Sequence, residues 1–374
     1  MDNNFFKEIG KNFGFGFMRL PMNADDVDLE QTKQMVDIFM QNGFNYFDTA
    51  HIYLGGKSEI AIRETISKRY PREKFILTNK LSTACFNNQK EIRPLFEEQL
   101  KACGVEYFDF YLMHAQDGAI YEKYRRCRAY ETSLELKQEG KIKHFGISFH
   151  DKADVLEKIL TDYPEIEVVQ IQFNYLDYED SSVEGRKVYE VCEKFNKPVI
   201  VMEPVKGGSL VHLPEDAQKI FDDLNSNKSN ASYALRFAGS FKNICVVLSG
   251  MSDLKQMEDN ISFMKEFQPL NKTELEAVQK VCQIFRSLNM IPCTACHYCT
   301  DGCPMNILIP DVFSCYNLKT KFHSWNQDYY YENVLTREHG KASDCIKCGQ
   351  CEKICPQHLK ITELLGDVAK EFEK

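Results

Sequence analysis

Between residues 10 and 265, apolar positions alternate between two patterns: short β-branched or aromatic runs, and longer stretches whose apolar residues recur three and four apart. A glycine-spaced apolar strand opens the series at Gly14-Phe15-Gly16-Phe17-Met18-Arg19-Leu20-Pro21. Its glycines would let a ligand or another backbone come close, a plain turn being the alternative. Further strands are predicted at residues 44–47, 74–78, 108–113, 143–147, 167–172, 198–202 and 244–248. Helices are predicted at residues 28–41, 58–69, 90–102, 119–138, 151–160 with Asp151 as cap, 182–195, 230–238 and 253–263. Strand followed by helix, eight times over, predicts an α/β chain folded as a (β/α)8 TIM barrel. A doubly wound open sheet is disfavoured because no Gly-x-Gly-x-x-Gly joins a strand to a helix. Residues 271–288 form one more amphipathic helix, with Leu275, Val278, Val281, Cys282 and Phe285 at helical spacing. It closes a first domain over residues 1–288, and Ile291-Pro292 opens a small, mainly helical C-terminal domain over residues 289–374.

Chemically loaded residues sit at or just past three successive strand ends. Asp48 follows the second strand with Tyr53 five residues on, Lys80 follows the third and His114 the fourth. The C-terminal mouth of a parallel barrel gathers such residues into one site. A carbonyl that accepts hydride becomes an alkoxide and needs a proton, and a phenol with its ordinary pKa of about 10 is a poor acid near neutrality. A lysine ammonium nearby stabilises the phenolate, and a buried ammonium needs a carboxylate, which gives Asp48 its place. His114 can hydrogen-bond a carbonyl oxygen and orient it. Singly, each residue has a bland reading: a turn cap, one of 18 tyrosines, a solvated lysine, a satisfied core histidine. The joint pattern carries the weight.

These residues, with Phe47-Asp48-Thr49-Ala50, Thr78-Asn79-Lys80, Asp109-Phe110-Tyr111-Leu112-Met113-His114, Gly146-Ile147-Ser148 and Val169-Gln170-Ile171, give residues 10–265 a sequence that resembles the aldo-keto reductases. The resemblance implies NADP(H) or NAD(H) extended across the barrel mouth, Tyr53 as proton donor, Lys80 and Asp48 as its tuning pair, and His114 as orienter. It also implies cofactor contacts from Gly16, Phe17, Met18 and Asp48, and from Ser148 and Gln170 on the carboxamide. Met202 stands where many members stack an aromatic on the nicotinamide. Pro204, Val205, Lys206 and Gly208 lie in the pyrophosphate loop, and Asp259 and Asn260 near the adenine. Where many members read the 2′-phosphate with Lys, Ser and Arg, this chain has Gly250, Met251 and Gln256, with Lys255 or Ser252 nearby to compensate; NADPH against NADH stays open, with a lean to NADPH.

The 15 cysteines change the picture at the other end. Cys85, Cys103, Cys127, Cys192, Cys245 and Cys282 are scattered and read as small buried hydrophobes. Cys293, Cys296, Cys299 and Cys303 form one run ending in Pro304, and Cys345, Cys348, Cys351 and Cys355 another ending in Pro356. That spacing is the signature of two [4Fe–4S] clusters, the fourth cysteine of each run serving the other cluster. Two zincs, or disulfides, are the alternatives. Cys315 has no matching partner and reads as packing. Tyr329, Tyr330, Tyr331 and Trp325, between the runs, suggest helices packed on the barrel. This half resembles a helical two-cluster ferredoxin domain, and the whole chain resembles the iron–sulfur-containing branch of the aldo-keto reductases.

Composition sets limits. With 43% hydrophobic and 27% charged residues the chain is that of a globular protein, and no apolar run approaches the roughly 20 residues that cross a bilayer. Met1-Asp2-Asn3-Asn4 does not start a signal peptide, so a cytoplasmic chain without a membrane partner is expected. A formal charge of −9 argues against nucleic acid as partner. The sequence carries no signal for oligomeric state. The first functional reading is an NAD(P)H-dependent reductase of a small aldehyde or ketone, or oxidant of the alcohol, whose clusters are structural or serve an external electron-transfer protein. The second is a redox-sensing or electron-transfer module that binds nicotinamide with little turnover. A structural protein with a dead barrel is disfavoured because all four catalytic residue types are present.

Overall fold

A computed structural model describes residues 5–180, 183–322 and 327–373. The N-terminal Met1-Asp2-Asn3-Asn4, the helix start expected at Ser182, and Trp325 lie outside them. By compactness the chain divides into two units, residues 1–204 with 231–271, and residues 205–230 with 272–374. The helix Lys272–Leu288 thus groups with the cysteine-rich residues, whereas the 288/289 division drawn on the sequence follows the chemistry of the cysteines.

The first unit is built on a closed barrel of eight parallel strands: β1 (Phe13–Gly16), β2 (Tyr46–Asp48), β3 (Ile76–Leu81), β4 (Phe108–Gln116), β5 (Ile142–Phe149), β6 (Val168–Gln172), β7 (Val199–Met202) and β8 (Ile244–Gly250). β1 pairs with both β2 and β8, which closes the ring. Successive side chains on a strand alternate between faces. Tyr46, Ile76, Phe110, Leu112, Val168, Ile200, Val246 and Leu248 therefore fill the interior as one cluster, to which Phe6 and Ile9 add. Gly14 shows why β1 carries glycine. A Cβ there would come within 2.6 Å of Leu248 and 2.9 Å of Tyr46, so this glycine makes room for core side chains rather than for a turn. Gly146 on β5 is equally constrained, by the Val168 carbonyl at 2.5 Å.

Most helices run close to the predicted spans. Leu29–Gln41 is capped by Asp28, whose carboxylate accepts from Gln31 N, and Leu254–Met264 by Asp253 in the same way. Three places differ. The stretch expected as one helix over 119–138 is two, Gly118–Arg126 and Ala129–Gln138, broken where Arg128 takes a left-handed φ of 52°. The helix from Lys57 is α-helical only to Ile62 and continues as a π-turn over Arg63–Ser67. Asp151 does not cap Ala153–Asp162, which starts from Lys152; its carboxylate accepts from Gly118 N instead. Periodicity does not resolve such breaks because each side keeps its apolar face.

In the second unit, helices Ile309–Phe322 and Ile361–Phe372 pack round Ile307, Val312, Phe313, Tyr331, Leu365 and Val368, and the Tyr331 and Phe372 rings stack 4.5 Å apart. Gly207 lies against Thr294, where a Cβ would meet a carbonyl oxygen at 2.3 Å; this fixes the 205–230 segment to the first cysteine run. Cys315 is buried in the same core, with its thiol on the Gln327 carbonyl. Of the scattered cysteines, all but the partly exposed Cys85 are buried. Among the described residues no helix is long and apolar enough to cross a membrane.

Candidate active site and cysteine cavities

The two-residue period that fills the barrel core also builds its mouth. One inward position beyond the Tyr46 and Thr78 layer come Asp48 and Lys80, followed by His114, Ser148, Gln170 and Met202 at the upper ends of β4 to β7. Lys80 is wholly buried. Its Nζ lies 2.6 Å from Asp48 Oδ1 and 2.8 Å from the Thr49 carbonyl. The other Asp48 oxygen accepts from Gln170 Nε2 at 3.1 Å. Burial pulls the Lys80 ammonium below its ordinary pKa, and the Asp48 carboxylate works against that. The same ammonium stands 4.8 Å from the centre of the Tyr53 ring. The Tyr53 and His114 rings meet edge to face with centroids 5.7 Å apart. The structure therefore brings all four sequence-selected residues together. Tyr53 begins a tight turn, Tyr53–Gly56, in which Leu54 and Gly55 are left-handed, and this lets the chain fold back over the strand end.

His114 is aimed by a bulge. The register of β4 against β5 shifts between Met113 and Gln116, and Ala115 takes a left-handed φ of 53° with its N–H bonded to Ser148 Oγ at 2.8 Å. Burial, then the Lys80 charge, then His150 push the His114 imidazolium well below its ordinary pKa, so the ring is held neutral. Its Nδ1 lies 2.6 Å from Ser82 Oγ, and its carbonyl accepts from the Tyr124 hydroxyl at 3.0 Å.

Behind Lys80 lies a polar network that motif reading did not select. The buried Glu59 accepts from Asn79 Nδ2 at 2.8 Å and sits 2.8 Å from His51 Nδ1, while Gln99 Nε2 reaches the Lys80 carbonyl at 2.9 Å. Motif spacing does not select Ser82 either. The signal was present, since it stands two positions after Lys80 and so on the same face of the chain.

Among the expected cofactor residues, Gly16 and Gly250 are paired across β1 and β8 and bring no side chain to the mouth. Arg19 lies lengthwise along Gly250, its Cβ, Cγ and Cδ all within 3.5 Å of where a Gly250 Cβ would stand. Phe17 is buried and Met18 half-buried. Gln256 is tied to Ser252 N and Asp253, the Ser252 hydroxyl donates to the Arg19 carbonyl, and Asn260 bonds Ser249 Oγ. Asp259 is half-buried on the same helix as Asn260. Pro204 is buried after β7. Val205, Lys206 and Gly208 fall in the second unit, where Lys206 is buried in a short turn.

In the second unit, two cavities have cysteine walls. One is faced by Cys293, Cys296, Cys299 and Cys355, the other by Cys345, Cys348, Cys351 and Cys303. Each cavity thus takes three cysteines from one run and the last from the other. Among the described residues no three His, Cys, Asp or Glu side chains converge on a position for a single metal ion. Sulfurs set round a cavity fit a cubane better than they fit tetrahedral zinc. Left-handed residues Ala295, His297, Lys347 and Gly349 curl the backbone round these cavities, and Ala295 N and Ile307 N point to Cys293 and Cys303 sulfurs at 3.5 Å.

Residues 12–283 match the model of the aldo/keto reductase family, and residues 292–360 that of a 4Fe-4S dicluster domain. An uncharacterized oxidoreductase, YqkF of Bacillus subtilis, is 23% identical over 66% of this chain and 85% of its own length. An NADH-specific methylglyoxal reductase of Escherichia coli is 28% identical, but over 45% of this chain and 54% of its own length. Among solved structures, the holo form of aldo-keto reductase AKR11C1 from Bacillus halodurans superposes with a TM-score of 0.59 at 24% identity, covering 72% of this chain and 91% of that one. An aldo-keto reductase from Klebsiella pneumoniae in complex with NADPH gives 0.59 at 17% identity, over 72% and 90%. At these identities the superpositions establish the fold.

Proposed function

Because the chain belongs to the aldo/keto reductase family and carries a 4Fe-4S dicluster domain, we propose that it is an NAD(P)H-dependent oxidoreductase that interconverts a small aldehyde or ketone and its alcohol, with Tyr53 as the proton donor. One observation carries this reading: a fully buried ammonium, Lys80, is bonded to Asp48 and faces the Tyr53 ring, with the neutral His114 edge-on to it. The nicotinamide supplies the hydride when bound. The protein's part is to hold and move the proton. Tyr53 gives its hydroxyl proton to the developing alkoxide, Lys80 stabilises the phenolate left behind, and Asp48 keeps Lys80 charged. His114 donates a hydrogen bond to the carbonyl oxygen. Ser148, Gln170 and Met202 would hold the nicotinamide end. Anaerobically purified enzyme should oxidise NADPH on addition of methylglyoxal or 4-nitrobenzaldehyde; oxidation that appears only with a one-electron acceptor would reverse the assignment.

Since His114 is held neutral across the physiological range, kcat/KM for reduction should show no limb near pH 6.5. A limb there that vanishes in His114→Gln would show the ring to be charged. Arg19 bears on the choice of nucleotide. Besides Lys255, it adds a cation to the stretch where Gly250, Met251 and Gln256 carry none. NADPH should therefore bind more tightly than NADH, and Arg19→Ala should lower the preference by about tenfold. A protein that prefers NADH, or an unchanged ratio in the variant, counts against it.

The two cysteine sets would hold two [4Fe–4S] clusters, which carry single electrons. A second reading, electron exchange with an external protein, is favoured by one feature: Cys348 is exposed beside the exposed Ile346, whereas Cys299 is buried.

A further inference from the structure

We infer that Ser82 is a positioning residue for carbonyl reduction, fixing the tautomer of His114. This rests on the reading of His114 as the group that orients the carbonyl. A neutral imidazole has one N–H and one acceptor nitrogen, and which is which depends on the bond made by the nitrogen away from the substrate. His114 Nδ1 lies 2.6 Å from Ser82 Oγ, both residues are buried, and Ser82 is 3% exposed. The serine hydroxyl can act as donor or acceptor, so the environment decides the direction. If Nδ1 held the proton, Nε2 would present a lone pair to the incoming carbonyl oxygen, and two acceptors would face each other in a buried site. With Ser82 donating to Nδ1, the proton sits on Nε2 and meets that oxygen as a donor.

The surroundings hold this pair in place. Tyr124 donates to the His114 carbonyl and also to that of Leu81, the residue before Ser82, so one hydroxyl ties together the two chain segments that carry the pair. The bulge at Ala115, pinned by Ser148, prevents the strand from rotating His114 away. Burial and the Lys80 charge exclude the doubly protonated ring, in which both nitrogens would be donors and Ser82 would have nothing to decide. A serine at this position therefore has a task that neither alanine nor valine can perform, while threonine keeps the hydroxyl.

The test uses the cluster-loaded holoenzyme with NADPH bound and histidine labelled with ¹⁵N. Wild type should give Nε2–H as the dominant His114 tautomer. Ser82→Ala should shift the signal toward a mixture and lower kcat/KM for 4-nitrobenzaldehyde about tenfold, with NADPH affinity unchanged. Ser82→Thr should restore both tautomer and rate. A wild-type Nδ1–H tautomer, or a Ser82→Ala protein with unaltered tautomer and rate, overturns the inference. His114→Gln separates the two ideas. If that variant reduces the aldehyde at the wild-type rate, the role of His114 itself fails; if it is crippled while Ser82→Ala is unaffected, only the role of Ser82 fails.

Discussion

Replacing Tyr53 by phenylalanine should lower kcat for aldehyde reduction by about 10²- to 10⁴-fold, the range that a positioned proton donor contributes, while NADPH binds with unchanged Kd. The reasoning is local. Phenylalanine keeps the ring that Lys80 faces at 4.8 Å and that His114 meets edge-on, so the packing at the mouth survives and only the hydroxyl is lost. Hydride delivery without that proton would leave an alkoxide in a buried site, a poor product in a low-dielectric medium. The control is Lys80→Met. It also removes the tuning charge, but it strands Asp48 with Gln170 as its side-chain partner, and breaking a buried pair costs about 3–5 kcal/mol. Tyr53→Phe should thus be inactive with an ordinary unfolding midpoint, and Lys80→Met inactive and less stable. A Tyr53→Phe enzyme that keeps wild-type turnover with any aldehyde it reduces would remove the phenol from the mechanism. In the reverse direction the same variant should lose alcohol oxidation to the same extent, because the phenolate then acts as base.

Much of this site could be read from the sequence because barrel strands are short and regular. A two-residue period, applied to runs such as Phe44 to Asp48 and Phe108 to His114, places Asp48, Lys80 and His114 on the inner face at the same end. What could not be read depends on departures from that regularity. The bulge at Ala115 and the left-handed Arg128 leave no mark in an apolar pattern, since alanine and arginine are unremarkable in strands and helices. Ser82, Glu59 and Tyr124 bond partners 8 to 43 residues away, and a polar residue of ordinary type signals nothing until its partner is in place. The glycines of β1 show the reverse. They were visible, but whether they served a turn, a ligand or the core depended on Tyr46 and Leu248, which come from other strands. The cysteine spacing was more informative still, because a cubane dictates which residues must converge.

That convergence makes the second large prediction, which concerns Cys355. Along the chain it closes the run of Cys345, Cys348 and Cys351, but its side chain faces the cavity of Cys293, Cys296 and Cys299, as the spacing leads one to expect. Cys355→Ser should therefore lower the iron content from about eight to about four atoms per chain and remove the cluster of the first run, leaving that of the second. Cys303→Ser should do the reverse. Pairs of substitutions make the assignment strict, because residues that serve one unit are not additive. Cys355→Ser with Cys293→Ser should cost no more iron than either alone, whereas Cys355→Ser with Cys351→Ser should empty both sites. If each run instead held its own cluster, these two results would be exchanged. Losing a cluster also removes a cross-link between the start and the end of the second unit, so each single variant should unfold at lower urea in that unit. NADPH binding should be unaffected, since Asp48, Tyr53, Lys80 and His114 all belong to the first unit. Loss of iron that follows the order of the sequence, rather than the walls of the two cavities, would refute the crossed arrangement.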